Sequence, residues 1–314
     1  MRILFIDTVH PVLWEGLVDD GHQCIDATRH TREQIVQSLK DIHGVVIRSR
    51  IRMDKEFLDA AVDLRFIARS GAGMENIDLP YAAAKNVHCI NSPEGNRDAV
   101  GEHALGMLLM LMNRLGRADR EVRNGLWRRE ENRGDELEGK TVALIGYGTM
   151  GRAFARRLSG FGCKVIAYDK YLQAWPDAFA RRAEMAEVFE RADVISLHVP
   201  LTEETRMLVD ADYLSRFSKP LRVINTARGG CLSLDALAAA MQTGKVIGAC
   251  LDVLEYEDSS FEQFTLDHAA ELPAWRYLIG SDDVVLSPHI AGWSKESYRK
   301  LSEVLLSKIR AAFN

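Results

Sequence analysis

A chain of 314 residues exceeds what one hydrophobic core ordinarily supports, since single cores stop growing near about 250–300 residues, and it points to two domains. With 47% hydrophobic and 27% charged residues the composition is that of an ordinary globular protein, which excludes a disordered chain, a collagen-like repeat and a disulfide scaffold. A net charge of −5 offers no broad positive field, so neither nucleic acid nor a membrane is expected as a partner.

The five cysteines are odd in number, dispersed, and contain no C-x-x-C pair, which fits a reducing cytoplasm; no metal site is expected. Only Ile3 to Ile6 separate Arg2 from Asp7, too short an apolar run for a signal peptide. The longest greasy stretch, Ala104 to Met112, falls far short of the ~20 residues a membrane span needs.

In chain order, short β-branched runs alternate with helix-length segments, the pattern of parallel strands joined by crossover helices in an α/β fold. Five strands are expected first, at Ile3 to Ile6, Cys24 to Ala27, Val45 to Arg48, Phe66 to Arg69 and Val87 to Ile90. A single helix is then expected from about Asp98 to Asn124, with Val100, Ala104, Leu105, Leu108, Leu109, Met112 and Leu115 as its apolar stripe and Gly125 as its stop. At ~1.5 Å per residue it would reach ~40 Å, enough to carry the chain from one domain into another. A second series of six strands follows, at Val142 to Ile145, Val165 to Tyr168, Val194 to His198, Val223 to Asn225, Ile247 to Leu251 and Val284 to Leu286. A final helix, roughly Lys295 to Ala312, closes the chain, and the pattern does not say which domain it joins.

Gly146-Tyr147-Gly148-Thr149-Met150-Gly151 follows the first strand of the second series and opens a helix with apolar Phe154 and Leu158. In that context G-x-G-x-x-G reads as a dinucleotide loop, where Gly146 permits the turn, Gly148 admits the pyrophosphate, and Gly151 lets helix and strand pack. The helix N-terminus then faces the phosphates. Asp169, at the end of the next strand and 18 residues beyond Gly151, can bond the ribose hydroxyls and repel a 2′-phosphate, which favours NAD over NADP. Lys170 beside it pulls the other way, and a strand-end Asp that merely caps a turn is the plainer alternative.

A dinucleotide implies hydride chemistry, which at a carbonyl or hydroxyl needs a proton-exchanging group, a partner to tune it, and a cation for any anionic part of the substrate. Polar residues at strand C-termini supply three candidates: Arg228, the acidic run Glu255-Tyr256-Glu257-Asp258, and His289. Each also reads as a solvated loop residue, and periodicity does not choose among Glu255, Glu257 and Asp258.

These segments resemble the D-isomer-specific 2-hydroxyacid dehydrogenase family. Asn225-Thr226-Ala227-Arg228-Gly229-Gly230 resembles its arginine motif, Leu251-Asp252-Val253-Leu254-Glu255-Tyr256-Glu257 its glutamate motif, and Ser287-Pro288-His289-Ile290-Ala291-Gly292 its histidine motif. The likeness extends through Gly71 to Asp78, Glu102 to Gly106 and His198 to Thr202, and covers nearly the whole chain. It implies two doubly wound domains: a Rossmann NAD-binding domain, residues 98–292, inserted into a split flavodoxin-like substrate domain, residues 1–97 and 293–314. It further implies His289 as acid/base catalyst, Glu257 as its hydrogen-bonded partner, and Arg228 as the holder of the carboxylate and carbonyl of a small 2-hydroxy or 2-oxo acid. Thr149, Met150, His198, Val199, Pro200, Thr226, Ala227, Arg228, Asp252, His289 and Gly292 would line the cofactor alongside the glycines and Asp169. Gly71, Ala72 and Gly73 would offer amides to the substrate carboxylate.

Two departures from the family pattern stand out. Asp258 follows Glu257 where Pro is usual, and Ser259 to Leu278 is a longer segment than usual. Its Phe261, Phe264, Trp275 and Tyr277 suit a local cover, an oligomer contact or a surface insertion. Trp293 either shapes the pocket or simply packs. Arg48, Ser49, Arg50, Arg69 and Asn96 resemble the positions by which 3-phosphoglycerate dehydrogenases hold a second anion, so 3-phosphoglycerate is the leading substrate, although these arginines, with Arg52 beside them, also read as solvated charges. Glyoxylate, hydroxypyruvate or D-lactate-type reduction is the alternative, and an NADH-sensing corepressor the reading from another class. With the sequence ending at Asn314, the regulatory domain that some phosphoglycerate dehydrogenases carry is not expected. By the same resemblance, the long helix and the Asn124 to Gly134 arm with Trp127 suggest a homodimer.

Overall fold

The computed structural model describes residues 1–257 and 272–313. They fall into two units, Met1–Arg97 with 293–313 and Asp98–Glu257 with 272–292.

The first unit is built on five parallel strands, β1 (Arg2–Phe5), β2 (Gln23–Asp26), β3 (Gly44–Ile47), β4 (Phe66–Arg69) and β5 (His88–Asn91), in the order β2-β1-β3-β4-β5. This is the flavodoxin-like order, with its reversal between β1 and β3. Side chains alternate across the sheet: Leu4, Val45 and Ile67 enter one core with Ile35, Leu39 and Phe57, while Ile3, Phe5, Val46 and Phe66 enter the other with Leu13 and Leu17. Both faces are therefore buried at the sheet's centre, which is why β3 (Gly-Val-Val-Ile) is apolar throughout, whereas the edge strand β2 exposes Gln23 and Asp26. Local signals start the helices of this unit. Thr31 and Gln34 form a capping box, Asp54 and Asp78 cap the helices Lys55–Ala60 and Leu79–Ala84, and Pro11 occupies the first position of Pro11–Asp19. The final helix, Lys295–Phe313, belongs to this unit and buries Leu305, Leu306 and Ile309 in the second of those cores. It crosses Pro11–Asp19 at Gly16, where a Cβ would fall 2.3 Å from the Leu306 side chain.

The second unit carries β6 (Thr141–Ile145), β7 (Lys164–Tyr168), β8 (Arg181–Arg182), β9 (Val194–Leu197), β10 (Leu221–Asn225), β11 (Val246–Leu251) and β12 (Val284–Leu286), all parallel. The order β12-β11-β10-β9-β6-β7-β8 is the Rossmann arrangement with one further strand, and it reverses between β6 and β9. Seven strands stand where six were expected. The extra strand, β8, is two exposed arginines and carries no apolar signal.

The long helix also departs from expectation. It is two helices, Pro93–Met112 and Leu115–Arg123, broken at Arg114, whose φ of 53° is left-handed. Asn113, Arg114 and Leu115 include no Gly or Pro. The break is tertiary: the Met112 carbonyl, left over at the end of the first helix, accepts the Asp135 N–H at 2.9 Å. Gly125 ends the second helix as expected, with φ 76° and the paired Gly125 N–H to Val122 O and Leu126 N–H to Glu121 O bonds of a Schellman turn. No described helix is long and apolar enough to cross a membrane, and all five cysteines are free thiols.

Candidate active site

The dinucleotide loop lies between β6 and the helix Thr149–Leu158, at the point where the strand order reverses. Gly146 has a φ of 93°, and a Cβ there would meet the His198 carbonyl at 2.6 Å. A Cβ on Gly151 would stand 2.3 Å from the Gly146 carbonyl oxygen. Gly148, by contrast, is exposed, with no atom within 4 Å of its absent Cβ. Two glycines are thus required by the protein's own packing and one is not. An open glycine at a helix N-terminus is the cradle a diphosphate needs. Around it, Thr149 and Met150 begin the helix, and Val199 and Pro200 leave β9. Thr226 Oγ1 and His198 Nδ1 are enclosed without a hydrogen-bond partner among the described residues, so the lining keeps polar capacity for a ligand. His198 Nε2 meets Ser196 Oγ at 2.9 Å, and burial drives the His198 pKa down from 6.5 to about 3, so this ring is neutral. These residues fit a dinucleotide.

Asp169 caps the neighbouring turn, as the plainer alternative held. Its Oδ1 accepts the N–H groups of Tyr171 and Leu172, both at 3.0 Å, and its Oδ2 accepts that of Tyr147 at 2.8 Å. The carboxylate is therefore fixed against the glycine loop and keeps acceptor capacity on Oδ2. Lys170, the residue that weakened the case for NAD, is ion-paired to Glu204, which also accepts the Tyr171 hydroxyl. Behind the loop, Tyr147 is fully buried, stacked at 4.6 Å on Trp175, and bonded through its hydroxyl to Asp177 at 2.5 Å. No periodic pattern announces this buttress, because Trp175 and Asp177 lie in an irregular segment.

The three expected catalytic residues follow three adjacent strands: Arg228 after β10, Glu257 after β11, His289 after β12. The choice within the acidic run is made by geometry. Glu255 Oε2 accepts the Leu234 N–H at 2.9 Å and so caps the helix Leu234–Gln242, while Glu257 Oε2 meets His289 Nδ1 at 2.8 Å. Asp258 lies outside the described residues. A carboxylate only accepts, so Nδ1 carries the proton in this bond, and Nε2 is the ring's other nitrogen. The Arg228 side chain reaches back to the Ala227 carbonyl at 2.6 Å, and Asn225 holds the turn through the Ala227 N–H and the Arg228 carbonyl. Gly229 admits the β11 exit loop, since a Cβ there would fall 1.8 Å from the Leu254 carbonyl oxygen.

His289 itself has a φ of 55°, a left-handed conformation that costs a non-glycine residue about 1–2 kcal/mol. Asp252, 2% exposed, holds it there. Its carbonyl accepts the His289 N–H at 2.7 Å, its Oδ1 accepts Ile290 N–H at 2.8 Å and Ser287 Oγ at 2.6 Å, and its Oδ2 accepts Ala291 N–H at 2.8 Å. The loop so formed runs on to Gly292. Sequence reading assigned Asp252 to the cofactor lining and passed over this role.

In the first unit, Arg48 and Ser49 leave β3 at its strand-order reversal with β1. Asp7, at the end of β1, accepts the Arg48 N–H and binds Arg50 Nε at 3.1 Å. Arg50 is spent internally on Asp7 and the carbonyls of Ile6, Ala27 and His30, whereas the Arg48 guanidinium lies 4.6 Å over the exposed ring of Trp293. No carboxylate among the described residues pairs with Arg48. Gly71, with φ 152°, lets the Arg69 guanidinium pass, and Asn91 Nδ2 donates to the Ala72 carbonyl beside Gly73 at 2.6 Å. Asn96 Oδ1 is buried without a partner among the described residues. Of the aromatic residues in the longer segment, Trp275 is buried and Tyr277 packs on the second unit's core through the helix Pro273–Gly280, so they are core residues; Phe261 and Phe264 lie outside the described residues.

Residues 105–291 match the family model described as D-isomer specific 2-hydroxyacid dehydrogenase, NAD binding domain. The chain belongs to this family. The matched domain is, by that description, one that binds NAD. A hydroxypyruvate reductase of Thermotoga maritima is 33% identical over 278 residues, 88% of this chain and 87% of that protein. The D-3-phosphoglycerate dehydrogenase of Homo sapiens is 30% identical over 306 residues, 96% of this chain, but this chain spans only 54% of its length. The crystal structure of the D-lactate dehydrogenase from Aquifex aeolicus, complexed with NAD and lactic acid, aligns with a TM-score of 0.79 at 27% identity, covering 99% of this chain and 95% of that one.

Proposed function

We propose that this protein is an NAD-dependent oxidoreductase interconverting a small D-2-hydroxy acid and its 2-oxo acid. The observation that carries the reading is the His289–Glu257 pair, 2.8 Å apart and held on a strained, tightly bonded loop. NAD, when bound, supplies or accepts the hydride. In the reducing direction His289 Nε2 gives its proton to the oxo acid's carbonyl oxygen as that oxygen becomes a hydroxyl; in the oxidising direction the same atom takes it back. Glu257 fixes the ring's tautomer and stabilises the imidazolium charge. Arg228, charged at every working pH, pairs with the substrate carboxylate and polarises the carbonyl. Residues 98–292 form the NAD domain in this reading, and 1–97 with 293–314 the substrate domain, whose Ala72 and Gly73 amides assist with the carboxylate; Gly71, expected to join them, instead donates its N–H to Ser92 Oγ at 3.2 Å.

We further infer 3-phosphoglycerate and 3-phosphohydroxypyruvate as the substrate pair. What supports it is the first unit's anion-binding capacity: among the described residues no carboxylate pairs with the Arg48 guanidinium, while Arg50 beside it is consumed by the fold. A panel of NADH oxidation assays on phosphohydroxypyruvate, hydroxypyruvate, glyoxylate and pyruvate tests this. The highest kcat/KM is expected on the phosphorylated acid, and a tenfold preference for any of the others overturns the assignment.

A further inference from the structure

His103 lies on the helix Pro93–Met112, and its Nε2 meets Ser287 Oγ at 2.9 Å and Asp252 Oδ1 at 3.5 Å. Ser287 has one proton, and its 2.6 Å contact to the Asp252 carboxylate uses it. Ser287 Oγ is then an acceptor toward His103, so His103 Nε2 carries a hydrogen. A directional chain follows, from His103 Nε2–H to Ser287 Oγ–H to Asp252 Oδ1, ending on the carboxylate that also takes the Ile290 and Ala291 amides. The Asp252 carbonyl takes the His289 amide. Ser287 and Ile290 thus bracket the strained His289, and the chain ties both to a single helical side chain. Met107, one helical turn beyond His103, touches Ser287 Oγ through its sulfur and closes the contact on the same helix face.

We propose that His103 is a positioning residue for His289, acting through Ser287 and Asp252. It touches neither the reacting atoms nor Glu257. It restricts the loop so that His289 Nε2 keeps its aim, a constraint whose loss lowers the rate of proton exchange while leaving cofactor binding nearly intact. The inference rests on His289 as the acid/base group.

The full chain with His103→Leu, His103→Gln, Ser287→Ala and the His103→Leu/Ser287→Ala pair tests it. Turnover is read with NADH and whichever of the four oxo acids the wild type reduces fastest, beside His289→Ala. Glutamine presents an N–H where Nε2 stood, so it serves as the conservative rescue. His103→Leu and Ser287→Ala are each expected to lower kcat about tenfold with NADH affinity within about threefold, and His103→Gln to keep at least about half of wild-type kcat. The paired variant should lose no more than the worse single one, because both break one chain. An unchanged kcat in His103→Leu, no recovery with glutamine, or an additive, roughly hundredfold loss in the pair overturns the proposal. Should His289→Ala remain active, the catalytic assignment itself falls; an inactive His289→Ala with unaffected His103→Leu and Ser287→Ala removes the relay alone.

Discussion

Gly148→Ala separates the needs of the cofactor from the needs of the fold. A Cβ at Gly148 meets no atom within 4 Å, and its φ of −78° and ψ of −153° are open to any residue. Stability of the free protein should therefore change by less than about 0.5 kcal/mol, since alanine adds no contact and slightly restricts the unfolded chain. The same methyl would stand where the diphosphate approaches the helix N-terminus. Displacing one or two charge-assisted amide bonds at about 1.5–3 kcal/mol each costs about 3 kcal/mol, on the order of a hundredfold in NADH affinity. Gly151→Ala makes the contrast. Its Cβ would lie 2.3 Å from the Gly146 carbonyl oxygen, so loop and helix must part by about 1 Å, and overpacking of that kind costs about 1–3 kcal/mol. Titration of NADH by fluorescence, beside urea unfolding without cofactor, reads both effects. Gly148→Ala should lose NADH and keep its midpoint, while Gly151→Ala should lose both. A Gly148→Ala protein that binds NADH within twofold of wild type would refute the assignment of this loop to the diphosphate.

Three further outcomes are expected. His198 stays neutral in the folded protein down to about pH 3, whereas the unfolded chain protonates it below pH 6.5. The unfolded state then binds the extra proton, so this residue removes about 1.4 kcal/mol of stability per pH unit as pH falls below 6.5. Urea unfolding at pH 7 and pH 5 should show that slope, and His198→Asn should flatten it. Wild-type kcat/KM should favour NADH over NADPH, because Asp169 is fixed beside the glycine loop and Lys170 is paired with Glu204; an NADPH preference would remove Asp169 from its role. We expect a homodimer, supported by the exposed Leu115, Val122, Leu126 and Trp127 of the second helix and its arm, and Trp127→Ser should shift light-scattering mass toward one chain.

The strands were legible because a parallel sheet covered on both faces writes its burial directly as apolar runs. The glycine loop was legible in the same way, since backbone needs at Gly146 and Gly151 leave only glycine. What escaped was tertiary. The break at Arg114 is set by an amide from Asp135, β8 by pairing of two polar residues, and the Tyr147–Trp175 stack by a loop without periodicity. The acidic run is the instructive case. Glu255 and Glu257 are both loop carboxylates at strand ends, and which one meets the histidine depends on one capping bond to Leu234 that no local pattern encodes. Asp252 was read as cofactor lining through family likeness, and its work on the His289 loop is visible only in its bonds.

The central claim is that His289 exchanges the proton in NADH-dependent reduction of a 2-oxo acid. Its most direct test is steady-state NADH oxidation by wild type and His289→Ala on the four oxo acids, with NADH affinity measured for both. The wild type should turn over at least one acid, and the variant should fall by about 10²-fold or more with NADH affinity within about twofold. Near-wild-type turnover by His289→Ala, or tight NADH binding by a wild type that reduces none of the four, would contradict the account.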